Sequence, residues 1–230
     1  MHQIRLLRVI FEGELMPFEL PAFRGAVARK AGLENELFHN HQGDSFRYAY
    51  PLIQYKTHGK KPMLLCLGEG VEEAHKFFEK RDWSLPISGR QLDMKIETLE
   101  LRSYGLRVED RPYHYRLRQW IALNQENHRE YHALGSEEAR RAFLARKLTG
   151  NLLSFAKGAG WHVEGTLDVR ILELPPPRMV RIKDVQVHSF QPLFSANVAL
   201  PEHIGLGGKV SLGFGTLYHA RPYPSQSPDA

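Results

Sequence analysis

The chain opens on a block dominated by branched and aromatic side chains, Gln3-Ile4-Arg5-Leu6-Leu7-Arg8-Val9-Ile10-Phe11-Glu12, which predicts a strand. Pro17 and Pro21 then punctuate the chain, and Pro21 suits the first position of a helix. Phe23, Val27 and Ala31 recur at four-residue steps and give that helix one apolar face. Arg24, Arg29 and Lys30 fall on its other faces, and Gly32 stops it. A polar connection over residues 34–45 leads to a strand over residues 46–57, in which Pro51 demands a bulge or an edge position. His58-Gly59-Lys60-Lys61 reads as a turn into an apolar strand over residues 62–68, so the two strands predict a hairpin. Gly70 precedes a helix carrying Val71, Ala74, Phe77 and Phe78, and residues 91–104 read as a further strand. The order β-α-β-β-α-β is the ferredoxin-like unit.

A second unit begins after Asp110-Arg111-Pro112. Residues 113–123 have period-two character and predict a strand, followed by a polar connection holding Asn124, Asn127 and His128. Ser136, followed by Glu137 and Glu138, is a natural helix N-cap, and Leu144, Leu148, Leu152 and Phe155 form the buried stripe of the helix. Strands are predicted at residues 161–174, 179–190, 192–200 and 212–219. Only Pro201-Glu202-His203-Ile204 separates residue 200 from the glycines that follow, too little for a second helix. The expected fold is therefore α+β, with tandem ferredoxin-like (RRM-like) units, the second degenerate. The expected division is 1–108, 109–220 and a flexible tail over 221–230.

Composition narrows the class. Hydrophobic residues are 42% and charged residues 25% of the 230, as in globular rather than disordered chains. The formal charge of +5 is compatible with nucleic acid without requiring it. The single cysteine, Cys66, sits in the apolar run Met63-Leu64-Leu65-Cys66-Leu67, which excludes an intrachain disulfide scaffold. No apolar run reaches membrane-spanning length, and no secretory core opens the chain, so no membrane partner and a cytoplasmic location are expected.

The most unusual stretch is Gly205-Leu206-Gly207-Gly208-Lys209-Val210-Ser211-Leu212-Gly213-Phe214-Gly215, with five glycines in eleven residues. Two tight turns at a sheet end would account for it. So would a phosphate-contacting loop, in which exposed N–H groups form an anion-binding nest and Lys209 adds a positive charge. It is not a Walker loop, because the lysine is not directly followed by Ser or Thr at the start of a helix, and it lacks the strand and helix of a dinucleotide fingerprint. Gly205, Gly207, Gly208, Lys209 and Ser211, with the Gly213-Phe214-Gly215 ending, resemble the C-terminal glycine-rich loop of the CRISPR repeat-processing endoribonucleases, members of the repeat-associated RNA-binding superfamily. Their tandem ferredoxin-like arrangement is similar too, so the resemblance covers nearly the whole chain.

That resemblance implies a metal-independent endoribonuclease with CRISPR repeat RNA as partner and no cofactor. The alternative is a non-catalytic guide-RNA-binding subunit of a CRISPR effector complex. It also implies a catalytic histidine after the first helix, where His39 and His41 stand. Histidine exchanges protons near neutral pH, and residues two apart project to one side if residues 38–41 are extended. His41, beside Gln42-Gly43, is preferred over His39, which adjoins Leu37-Phe38. Tyr55 and Lys56 are secondary candidates for orienting phosphate and neutralising charge, against the alternative of a solvated hairpin end. Arg24 is expected at the RNA if the first helix faces the site, with Arg47, Arg116 and Arg118 weaker choices; Arg116 and Arg118 share a strand face that could touch RNA or merely cover a sheet. Gly207→Val and Gly213→Val are expected to weaken RNA binding with the fold largely intact. His39, His41 and Asp44 could instead hold a metal, but no cysteine set or second acidic cluster accompanies them, so none is expected. The remaining histidines are scattered. A monomer or weak homodimer is expected, with a CRISPR effector complex as a further partner.

Overall fold

A computed structural model describes residues 1–32, 34–39, 41–42, 45–46, 50–80 and 82–220, with backbone alone at residues 39, 41–42 and 45–46. The expected tail over 221–230, Asp44 and Arg47 lie outside the described residues.

The first unit contains β1 (His2–Phe11), α1 (Leu20–Ala31), α2 (Glu36–His39), the short ladder of β2 (His41–Gln42) and β3 (Ser45–Phe46), β4 (Ile53–His58), β5 (Lys61–Leu67), α3 (Glu69–Phe78), the hairpin of β6 (Ser84–Ile87) and β7 (Arg90–Asp93), and β8 (Ile96–Leu106). Its main sheet is antiparallel in the order β4-β5-β1-β8, the ferredoxin-like order. The strand expected over 46–57 is shorter. It starts after Pro51, whose missing N–H cannot join a ladder. The expected hairpin is present, with Thr57 paired to Pro62.

The second unit follows with Arg107 alone between β8 and β9 (Val108–Arg118). Asp110-Arg111-Pro112 thus lies inside a strand rather than before one. Pro112 is tolerated beside the irregular register between Ala196 and Val198 of the neighbouring strand. After β9 come α4 (Gln125–Ala133), α5 (Glu137–Gly158), β10 (Val169–Glu173), the hairpin of β11 (Arg178–Ile182) and β12 (Val185–Ser189), β13 (Leu193–Val198) and β14 (Thr216–His219). The main sheet runs β10-β13-β9-β14, repeating the first sheet's order with α5 in the place of the first helix. Where a second helix would stand there is only a 3-10 turn at Val210–Leu212, as the short spacing predicts.

Further expectations change. The polar connection after residue 123 is α4, capped by Asn124, whose side chain accepts from Asn127 N–H; only Tyr131 of this helix is buried, so no apolar stripe betrays it. The strand expected over 179–190 is a hairpin turning at Lys183, which has φ 55°. The strand expected over 161–174 is ordered as such only from Val169.

Packing explains the chain's apolar blocks. Leu7, Val9 and Phe11 of β1 pack with Phe23 and Val27 of α1 and Phe77 of α3. Ile4 and Leu6, on the other face, join Leu65 and Leu67 of β5 in a second core with Tyr115, Leu117, Phe194 and the α5 stripe Leu148, Leu152 and Phe155. The first sheet is therefore covered on both faces, which is why Met63-Leu64-Leu65-Cys66-Leu67 is a continuous buried run rather than an alternation. Among the described residues no helix is long and apolar enough to cross a membrane.

Candidate functional site

The glycine-rich loop spans the gap between β13 and β14 and leans on the first unit. Gly207, Gly213 and Gly215 have φ of 96°, 84° and 63°, a region that side chains other than glycine rarely adopt. Space is short as well. A Cβ on Gly207 would lie 2.6 Å from the Trp120 ring, one on Gly213 2.7 Å from Leu20 Cδ1, and one on Gly215 1.8 Å from Leu206 O. The glycines are thus demanded by packing, and Gly207→Val and Gly213→Val should disturb the fold, contrary to the sequence-based expectation. Several N–H groups also turn inward. Gly205 N–H donates to Gln54 Oε1, Leu206 N–H to Gly215 O, Gly208 N–H to Ile121 O and Gly215 N–H to Gln119 O. Those four groups cannot serve an anion nest. Lys209 is exposed, while Gly207, Gly208, Ser211 and Phe214 are half-buried, so the outer surface of the loop lies over residues 207–214.

Residues of β4 and the segment before it hold the loop. The Tyr50 hydroxyl donates to Gly205 O at 2.8 Å, and Gln54 Nε2 donates to the Tyr50 oxygen at 2.9 Å. With the Gly205 N–H bond to Gln54, both backbone groups of Gly205 are gripped by the first unit. Farther along β4, Lys56 Nζ donates to Thr216 Oγ1 at 3.1 Å, and Thr216 Oγ1 donates to Gly213 O at 2.8 Å. Lys56 is only 1% exposed, and burial pulls its ammonium down to a pKa of about 7. It is a brace behind the loop, neither a solvated hairpin end nor a direct phosphate contact.

Tyr55 is fully buried and points to the other side of β4. Its hydroxyl donates to Phe38 O at 3.1 Å, and its ring meets Phe23 of α1 edge-on. Burial pushes the phenol pKa well up, with the nearby Arg24 charge opposing. Arg24 is half-buried beside it, its own pKa lowered by burial. Tyr55 therefore anchors α2, the helix that ends at His39. The side chains of His39 and His41 lie outside the described residues. Their backbones place His39 at a helix end and His41 at the start of β2, so the condition of an extended run over 38–41, under which the two would project to one side, is not met.

Arg116 and Arg118 share one face of β9, as alternation predicts, opposite Tyr218 and Thr216 of β14. Arg116 pairs with Glu173 at 3.2 Å, and Arg118 lies 4.5 Å from the centre of the Tyr218 ring. His203, which the sequence marks only as part of a turn, is buried in the same region. Its ring faces His58 at 5.6 Å and Tyr218 at 5.2 Å, and burial, ahead of the neighbouring charges, lowers its pKa to about 4. An open cleft of about 810 Å³ runs between β1, α2 and the end of α5, lined by Arg5, Leu37, Tyr50, Ser154 and Lys157 among others. The glycine loop and the segment leading to His39 are thus held from opposite sides of β4, and Arg118 stands across from Thr216 on the adjoining sheet. Tyr50, Gln54 and Thr216 are participants that no sequence motif marks.

Known protein domains match the chain over both units. The Cas6b N-terminal domain matches residues 2–105 and the Cas6b C-terminal domain residues 107–220. The chain belongs to the Cas6b family. A crystal structure of Cas6b superposes at 27% identity with a TM-score of 0.87, covering 95% of this chain and 100% of that one. The crystal structure of a CRISPR RNA processing endoribonuclease Cas6b aligns at 24% identity with a TM-score of 0.72, over 95% of this chain and 100% of that one, and so bears on the Cas6b fold. An uncharacterized protein of Methanocaldococcus jannaschii is 37% identical over 98 residues, which span 43% of this chain and 65% of that protein.

Proposed function

We propose that this Cas6b-family chain is an endoribonuclease that cuts CRISPR repeat precursor RNA without a metal ion. The observation that carries the reading is the double use of β4. Tyr55 ties the segment leading to His39 and His41 to one side of the strand, and Lys56 ties the glycine loop to the other. The RNA supplies its own nucleophile. A histidine takes the proton of the 2′-OH as that oxygen bonds to phosphorus, the bond from phosphorus to the 5′-oxygen breaks, and a proton is delivered to the leaving oxygen. The products are a 2′,3′-cyclic phosphate and a 5′-hydroxyl. His41 is the preferred proton-transfer residue and His39 its partner. The outer surface of the loop, with Lys209 and Ser211, and Arg24, Arg116 and Arg118 hold the RNA backbone.

Single-turnover cutting of the repeat RNA in chelator tests this directly. His41→Ala is expected to slow cutting by roughly 10²–10⁴-fold with binding kept, the scale for losing a positioned proton transfer. Parent-rate cutting by the His39/His41 double alanine variant would overturn the assignment. Tight binding by the parent chain with no cutting would point instead to a guide-RNA-binding subunit.

A further inference from the structure

Three histidines that look scattered in the sequence meet on the outside of the second unit. His128 and His132 lie one turn apart on α4, and His188 lies on β12. His128 Nε2 is 3.0 Å from His188 Nδ1 and 3.1 Å from His132 Nε2, and the candidate ligand nitrogens all fall within 4.8 Å of one another. The rings of His128 and His188 stack at 5.0 Å with 12° between their planes.

Hydrogen bonding explains this knot poorly. The single proton or lone pair of one imidazole nitrogen, His128 Nε2, must satisfy two other ring nitrogens. A cation accepts one lone pair from each ring. Bonds of about 2.0–2.1 Å at tetrahedral angles hold imidazole nitrogens about 3.3 Å apart, close to the two short separations found here. The packing beneath is firm. Tyr131 of α4 meets Phe190 edge-on at 5.6 Å, and Phe190 is locked to Trp120 by two backbone hydrogen bonds of 2.9 Å. Buried aromatic packing thus presents the histidines, while His128 and His132 remain open to solvent, leaving room for water as a fourth ligand.

We propose that His128, His132 and His188 bind a borderline divalent transition-metal ion of the Zn²⁺ type, which clasps the β11–β12 hairpin to α4. All-imidazole donors suit zinc, cobalt, nickel or copper rather than magnesium or calcium. The site is separate from His39 and His41 and takes no part in the proposed cleavage.

The full chain without an affinity tag, stripped with chelator, would be titrated with Co²⁺ and then Zn²⁺. The expected result is one Co²⁺ per chain, with visible absorption bands of a low-coordinate site that Zn²⁺ removes. His128→Ala, His132→Ala and His188→Ala should each weaken binding by about tenfold or more. His128 and His132 are exposed, so those two variants should keep the parent circular dichroism. The His39/His41 double alanine variant should bind as the parent does. Zn²⁺ should also slow hydrogen exchange in the hairpin. Absence of stoichiometric binding, or parent affinity in all three single variants, would overturn the site. Binding without protection of the hairpin would overturn the clasp.

Discussion

Lys56 keeps its ammonium group where only 1% of the residue reaches solvent, with Thr216 Oγ1 as hydrogen-bond acceptor. Its pKa falls from 10.5 to about 7 because burial disfavours the charged form. Between about pH 7 and pH 10.5 the unfolded chain therefore holds a proton that the folded chain does not. Stability must rise with pH through that window, by at most about 1.4 kcal/mol per unit from this group. Lys56→Met removes that dependence. Cys66 and the buried tyrosines shift the other way, but they occur in both proteins and cancel in the difference. Urea denaturation of parent and variant from pH 7 to pH 9 should show the parent gaining on the variant as pH rises. A constant difference would place the ammonium in a wetter environment than the structure shows.

The glycine loop is the element on which two explanations compete, and its positions divide between them. Gly207 has φ 96° and a side chain's space already taken by Trp120, so Gly207→Ala should destabilise the fold by about 1–3 kcal/mol. Lys209 also has positive φ, 59°, but it is exposed and already carries a Cβ, so Lys209→Ala adds no new strain. It should leave stability nearly unchanged and reduce the salt slope of RNA binding by about 0.7–0.9, the share of one phosphate contact. Thermal unfolding together with RNA titrations at several salt concentrations checks both. An unchanged slope for Lys209→Ala would make the loop a packing device alone. Elements with a strong apolar period were legible: β1, α1, β5, α3 and α5. The helix α4 was not, because with only Tyr131 buried it owes its start to Asn124 rather than to a stripe. The β11–β12 hairpin read as one strand because the lysine at its turn is no glycine or asparagine.

At the scale of the molecule, both faces of the first sheet are covered from within the chain, by α1 and α3 on one side and by the second unit on the other. What remains is the β8 edge, where Leu99 and Leu101 are about half exposed. An edge strand with apolar side chains permits weak pairing. The protein is accordingly expected to be a monomer or weak dimer. Light scattering across a dilution series should show mass falling to that of one chain, and a higher oligomer unchanged on dilution would refute this.

Local pattern was enough for the β-α-β-β-α-β order of the first unit and for the long helix of the second, but not for α4 or the β11–β12 hairpin. Alternation, four-residue steps and caps act between residues close in sequence, and they even disclosed the missing second helix before Gly205. The glycine spacing and the His39-Asn40-His41 triplet were likewise plain in the chain. Long-range packing decided what those residues do. That Gly207 and Gly213 serve tight packing, that Lys56 is a buried brace, and that Tyr50 and Gln54 grip Gly205 all depend on partners far away in the sequence. The same holds for His128, His132 and His188, whose meeting requires a helix and a hairpin to dock on Phe190. Burial and partnership across such separations leave no period in a sequence, because they arise only when distant segments share one core.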